Sequence, residues 1–387
     1  DIMYKIPLSV PSLKGNEWQY VKECIETEWV SSAGKYVDLF EKKIAEYTGS
    51  KYAIACVNGT AALQVSLRLA GVEAGDEVIV STLTFIASVN AITYNNAKPI
   101  FMDADKYYNI DAEKTIEFIK NETVFKNGFT YNKKTDNKIT AIIPVHVWGN
   151  ACWLDELIEL CNKQNIAIVE DACESLGTFY NNGKYEGKHT GTIGKLGCLS
   201  FNGNKIITTG GGGMILTDNQ KLAEKTRYLT TQAKDDPVRY VHHEIGYNFR
   251  LTNIQAALGV AQLEKLQVFL ARKREIFNKY QTAINEVDGL TVADVPRYAK
   301  NNHWMILLQI DKNTYGDGRE KLMHRLGANN IQTRPAWFPI HLQKPYQHCQ
   351  NYQIKRTEEL VEMSLCLPSS THLSNDDLDK VIGHLNG

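Results

Sequence analysis

A lysine stands between small polar residues and a run of four glycines in Ser200-Phe201-Asn202-Gly203-Asn204-Lys205-Ile206-Ile207-Thr208-Thr209-Gly210-Gly211-Gly212-Gly213. That setting suits a tight loop better than a solvated surface charge. Thirty-four residues upstream of Lys205 an apolar run, Ile166-Ala167-Ile168-Val169, ends in Glu170-Asp171. A strand ending in an acid, followed by a lysine on a tight loop, fits pyridoxal phosphate chemistry. That cofactor needs a lysine for a Schiff base and a carboxylate that keeps its pyridine nitrogen protonated. Asp171 is the expected carboxylate, in a charge-assisted hydrogen bond to the ring. Glu170 is the alternative, because side-chain alternation along a strand lets only one of the two face the site.

Three further segments suit the same ligand. Asn58-Gly59-Thr60-Ala61-Ala62-Leu63 follows an apolar run and opens a helical pattern. Free N–H groups and the helix dipole make such a turn a phosphate site, and an ordinary capped turn is the plainer reading. Ser200 offers another hydroxyl to the phosphate. Phe85, in Thr82-Leu83-Thr84-Phe85-Ile86-Ala87-Ser88, follows a strand end and either stacks on a cofactor ring or fills the core. Other chemistries find less support. No G-x-G-x-x-G fingerprint for a nicotinamide cofactor is present. His242-His243 lacks metal-ligand spacing and reads as a polar loop. None of the eight cysteines forms a C-x-x-C pair, so they read as buried free thiols.

These residues need elements to hold them. The chain has 387 residues, 43% hydrophobic and 22% charged, with a formal net charge of −1. That balance makes no electrostatic case for nucleic acid or an anionic membrane, and no stretch reaches the apolar length of a membrane span. No signal-peptide pattern is visible at the N-terminus, so a cytoplasmic protein is expected. Strand-like runs at 52–57, 77–81, 99–102, 141–145, 166–169 and 214–217 alternate with helix-like stretches such as 61–70 and 153–163. This pattern predicts an α/β fold with a mostly parallel sheet covered on both faces. Residues 120–137 read as a surface insertion. A long helix opens at Thr252, a plausible N-cap, and leads into a smaller α/β domain. The expected division is an N-terminal arm over 1–30, a large cofactor domain over 31–267 and a small domain over 268–387, with the arm beside the small domain.

Taken together, these segments resemble the DegT/DnrJ/EryC1/StrS family of sugar-nucleotide aminotransferases. The likeness runs from Trp29-Val30-Ser31-Ser32-Ala33-Gly34 to Leu367-Pro368-Ser369. Its most specific blocks are 169–177, 200–213 and Gly246-Tyr247-Asn248-Phe249-Arg250-Leu251-Thr252-Asn253. The resemblance implies the aspartate aminotransferase-like fold (fold type I) with a seven-stranded large-domain sheet. It implies that Lys205 binds the pyridoxal phosphate and moves the proton, cycling it through the pyridoxamine form, and that Asp171 pairs with the ring nitrogen. Phe85 and the Ala172/Cys173 region would sandwich the ring, and Gly59, Thr60 and Ser200 would hold the phosphate. Asn248 would reach the phosphate from a partner subunit, so a homodimer with shared sites is implied.

Two departures refine the reading. Asn58 stands where relatives have Ser at the head of the phosphate block. Glu174 stands where many relatives have Gln or His, and with Ser175-Leu176-Gly177 it resembles the subgroup that aminates C4 of 4-keto-6-deoxy sugar nucleotides. The stretch 230–237 resembles the bacillosamine/legionaminic acid type, which acts on a 2-acetamido sugar. L-Glutamate is the implied amino donor and a nucleotide-linked keto sugar the acceptor. Arg250 and Arg334 are candidates for anionic groups, because guanidinium matches carboxylate and diphosphate. Ser32 and His341 are further substrate-contact candidates. The rivals are a sugar dehydratase on the same fold, disfavoured because histidine there replaces the lysine, and a non-catalytic nucleotide-sugar binder.

Overall fold

The computed structural model describes residues 4–385. Seven strands form the backbone of the large sheet, in the order Tyr52–Cys56, Gly213–Thr217, Leu196–Ser200, Ala167–Asp171, Lys138–Ile143, Glu77–Ser81, Lys98–Met102. Gly213–Thr217 runs antiparallel to both neighbours, and the other pairings along this path are parallel. Six of the seven lie at the runs predicted above. The seventh, Leu196–Ser200, was not predicted. Its Gly197 dilutes the apolar run, and its place between two strands on the ladder decides its conformation instead. A two-residue strand, Asn351–Tyr352, extends the sheet at the Lys98–Met102 edge. The 120–137 segment is less of an insertion than expected. It forms the hairpin Thr123–Lys126 and Phe129–Asn132, which pairs onto Lys138–Ile143 and buries Thr130 and Asn132.

Strands covered on both faces are buried throughout, as Glu77–Ser81 and Gly213–Thr217 are along their whole length. Val78, Val80, Phe101, Ile143 and Val169 face one core, while Ile79, Ile100, Ile142 and Ile168 face another. A second, antiparallel sheet follows the order Leu290–Val292, Ile306–Ile310, Ser364–Leu367, Arg334–Pro335.

The helix Asn253–Ile284 joins the two halves. Thr252 caps it with a full capping box: its side chain accepts from Gln255 N–H, and Gln255 reaches back to the Thr252 backbone. Its first half contributes Ala256, Ala257, Val260 and Leu266 to a core shared with Phe40, Phe201 and Met214. Gly259 faces Phe40 so closely that a Cβ there would lie 2.7 Å from the ring. Its second half contributes Ile276, Phe277, Tyr280 and Ile284 to the core beneath the small sheet. The division expected at 267/268 therefore falls inside one unbroken helix.

The N-terminal arm divides its contacts. Ile6 bridges Ile331 in parallel, Leu8 N–H donates to Gln332 Oε1 at 3.0 Å, and Val10 N–H donates to Ser370 Oγ at 3.0 Å. The helix Glu17–Glu26 lies instead along the long helix, where Tyr20 donates to Glu264 at 2.8 Å. Residues 1–3 of the expected arm and 386–387 of the expected small domain lie outside the described residues. No helix among the described residues is long and apolar enough to cross a membrane.

Candidate active site

The strand Ala167–Asp171 ends where the chain must choose between two acids. Glu170 points away from the cavity and is fully buried. Its carboxylate accepts from His146 Nε2 at 3.0 Å and from the backbone N–H groups of Gly191, Ile193 and Gly194 at 2.6–2.8 Å. Burial alone would raise its pKa, but His146 and the backbone donors hold it below the usual value. Asp171 points the other way, into a cavity of about 800 Å³. Its Oδ2 accepts from Ser88 Oγ at 2.6 Å and its Oδ1 from Cys173 N–H at 3.1 Å. The alternation that made the two acids exclusive thus selects Asp171 as the one facing the cavity.

Lys205 enters the same cavity from the loop after Leu196–Ser200, with its side chain 12% exposed. Its Nζ lies 3.5 Å from Glu174 Oε1 and 4.1 Å from the centre of the Trp304 ring. The other oxygen of Glu174 accepts from Trp148 N–H at 2.7 Å. Trp148 is buried and left-handed, at φ 53°, which is costly for a bulky residue. Burial pushes Glu174 up to about 7, against the opposing pull of Lys205 and the Trp148 N–H.

The N-terminus of the helix Gly59–Ala70 forms another part of the cavity wall. Asn58 caps it, accepting from Ala61 N–H at 2.8 Å. A Cβ on Gly59 would lie 2.8 Å from Cys173 Sγ and 2.9 Å from Ser200 Cβ. Only glycine lets the helix start approach the strand ends this closely, leaving N–H groups and the Thr60 and Ser200 side chains on an anion-sized cradle. An anion cradle, a carboxylate and a shielded lysine on one cavity fit pyridoxal phosphate.

The fold brings Gly59, Thr60, Phe85, Asp171, Cys173, Glu174, Ser200, Lys205 and Arg334 to this one cavity. Phe85 is 53% exposed, so it is no core residue, and its ring lies 6.0 Å from Trp337. Ser32, Asn248 and Arg250 lie outside the cavity of this chain; Arg250 Nη1 donates to Ser32 Oγ at 3.3 Å. His341 also lies outside it, with Nδ1 2.8 Å from Thr82 Oγ1 and Nε2 3.3 Å from Glu358. Sequence reasoning missed Ser88, Trp148, Trp304 and Trp337. Ser88 carried a signal, since it sits one helical turn beyond Thr84 on the segment that held Phe85. The tryptophans come from three distant loops, and no local spacing marks them. His242 and His243 are in an exposed loop, and no metal cluster occurs among the described residues. The eight cysteines are free thiols, six of them buried.

Comparison with known proteins agrees with this geometry. The profile of the DegT/DnrJ/EryC1/StrS aminotransferase family matches residues 11–386. GDP-perosamine synthase of Caulobacter vibrioides is 38% identical over 388 residues, covering 99% of this chain and 98% of its own length. The enzyme of the same name from Escherichia coli O157:H7 is also 38% identical, over 99% of this chain and 98% of its own. The crystal structure of a DegT DnrJ EryC1 StrS aminotransferase from Brucella abortus superposes with a TM-score of 0.86 at 28% identity, covering 96% of this chain and 95% of that one. The chain belongs to the DegT/DnrJ/EryC1/StrS aminotransferase family, and is a sugar aminotransferase that uses pyridoxal phosphate.

Proposed function

We propose that this protein moves an amino group from L-glutamate to C4 of a nucleotide-linked 4-keto-6-deoxy sugar, in the making of bacterial surface glycans. The observation that carries the reading is the convergence of Lys205, Asp171 and Glu174 in one cavity, with Glu174 heading the Glu174-Ser175-Leu176-Gly177 block. Bound pyridoxal phosphate supplies the carbon that receives the amino group and a ring that accepts electrons from the carbon losing its proton. The protein's part is to hold and to move protons. Asp171, fixed by Ser88, presents its charge to the ring nitrogen. The Gly59–Ala70 helix start and the Thr60 and Ser200 hydroxyls hold the phosphate, and Phe85 and Cys173 flank the ring. Lys205 Nζ carries the proton between donor and acceptor carbons, with Glu174 3.5 Å away. Arg334 offers its guanidinium to an anionic group of the substrate.

The sugar is proposed to be a 2-acetamido-2,6-dideoxy-4-hexulose, on the likeness of 230–237 to the bacillosamine/legionaminic acid type. A perosamine-type substrate is the second reading, favoured by the names of two relatives at 38% identity. Incubation with UDP-, GDP- and dTDP-linked 4-keto sugars plus glutamate, followed by mass spectrometry and NMR of the product, separates the two. NMR of the product made from a 4-keto and a 3-keto substrate offered together tests the position, and amination at C3 alone overturns the C4 assignment.

The site is proposed to be completed by a second copy of the chain. Asn248 and Arg250 are exposed and lie outside the cavity in one chain. The same surface exposes Val238 at 80%, Tyr240 at 70% and Ile245 at 83%, an apolar display that fits a partner better than water. With Asn248 reaching the phosphate of the partner's site, Asn248→Ala should lose cofactor affinity by about tenfold to a hundredfold. Unchanged affinity, or a fully active monomer on sedimentation, removes the shared site.

A further inference from the structure

Lys273 is a buried lysine with no anion beside it. It lies on the long helix, 3% exposed, and no carboxylate among the described residues pairs with it. Its Nζ donates to Trp304 O at 2.9 Å and to Ser369 Oγ at 3.1 Å, and Ser369 Oγ donates in turn to Trp304 O at 3.1 Å. His303, whose pKa is lowered in part by Lys273, is the titratable group beside it, and it does nothing to neutralise an ammonium. Burial accordingly pulls its pKa down to about 7. A lysine placed so is expensive to bury, and an apolar side chain of the same length would fill the space at less cost.

What the amine touches explains its presence. Trp304 lines the cavity, its ring faces Lys205 Nζ at 4.1 Å, and its Nε1 donates to Asn204 O, the residue before Lys205, at 2.6 Å. Ser369 N–H donates to Leu8 O at 2.8 Å, and Leu8 N–H donates to Gln332; Leu8 and Gln332 both line the cavity. One amine thus ties the plate beneath Lys205 to the arm that walls the cavity. We propose that Lys273 is a positioning residue for Lys205, setting the height of the Trp304 ring on which the Lys205 amine rests. The inference builds on the reading of Lys205 as the reactive amine.

The test is Lys273→Met in the full chain. In cofactor-free protein, Lys205 is labelled with acetic anhydride and its rate followed by peptide mass spectrometry, with exposed Lys355 as the internal reference. We expect the Lys205 rate to change by at least about threefold while Lys355 stays constant. In the cofactor-loaded enzyme, kcat should fall about tenfold with KM for glutamate nearly unchanged, the pattern of a misplaced reacting group. If Lys273→Met does not fold, Ser369→Ala and Trp304→Phe carry the same test. The first removes one partner of the amine, and the second keeps a ring but loses the bond to Asn204. An unchanged Lys205 labelling rate in a folded Lys273→Met protein, or in both replacements, overturns the inference. Activity retained by Lys205→Ala would instead sink the reading of the site, and the labelling comparison would still decide whether Lys273 controls the Lys205 amine.

Discussion

Glu170 and Asp171 are neighbours on one strand, and both are buried. Glu170 is met by four donors, His146 and three backbone N–H groups. Asp171 is met by two, Ser88 and the Cys173 N–H, on the side that opens into the cavity. The difference lies in what each carboxylate still has to give. A carboxylate has about four lone-pair positions. Those of Glu170 are taken up by the fold, and two of Asp171 remain for a ligand. Burial alone does not distinguish a structural acid from a functional one; the unspent acceptor capacity does.

The comparison can be broken from either side. The largest effect should come from the cavity face: Lys205→Ala is expected to lower transamination by about a thousandfold or more, with the fold intact by circular dichroism. Near-normal turnover would move the reactive amine to another lysine, such as Lys184, Lys188 or Lys195.

Asp171→Asn should follow, with a loss of about 10²–10³ in kcat, because a neutral amide cannot keep the ring cationic. Its cofactor-free protein should melt close to the native temperature, since Ser88 Oγ has a second partner in Thr84 Oγ1 at 3.1 Å. Glu170→Ala should do the reverse. It strands one buried and two part-buried N–H groups and the buried His146, and should cost about 3–5 kcal/mol of stability in chemical denaturation. Equal losses of stability in the two variants would erase the distinction between the acids.

The smallest effect is a change of slope. Glu174 is raised by burial from 4.5 to about 7. Between those values the folded protein keeps a proton that the unfolded chain has released, so this group's contribution is full below pH 4.5 and is lost as pH rises through about 7. Glu174→Gln should flatten the melting temperature of the cofactor-free protein across that window. A slope identical to the native one would mean that Glu174 stays ionised.

The two acids also mark how far the sequence could be read. Lys205, Asp171 and the Asn58-Gly59-Thr60 turn were legible because strand end, turn and helix start are adjacent in the chain, and local grammar encodes them. Asp171 was the expected carboxylate and Glu170 the alternative; alternation alone could not fix which faces the site, because the donors that do so come from residues 146, 191, 193 and 194 on one side and 88 on the other. The cavity wall was hidden for the same reason. Trp148, Trp304 and Trp337 lie far apart in sequence and meet only once both sheets are built; Trp148 and Trp337 end with ring centres 4.7 Å apart. The strand Leu196–Ser200 escaped because its ladder partners, not its composition, specify it. His341 looked suited to a sugar, but long-range bonds to Thr82 and Glu358 occupy it.

The arm holds a consequence for how the molecule is made. Leu8 bonds to Gln332 across 324 positions, and Val10 to Ser370 across 360. Residues 8 and 10 cannot settle until residues 332 and 370 are in place. Until then Leu8 and Ser9 have no wall to build, and the cavity they close stays open to water. The cavity wall is therefore completed only once residue 332 is in place, and a chain truncated before that residue would lack the bond that anchors Leu8 beside the site.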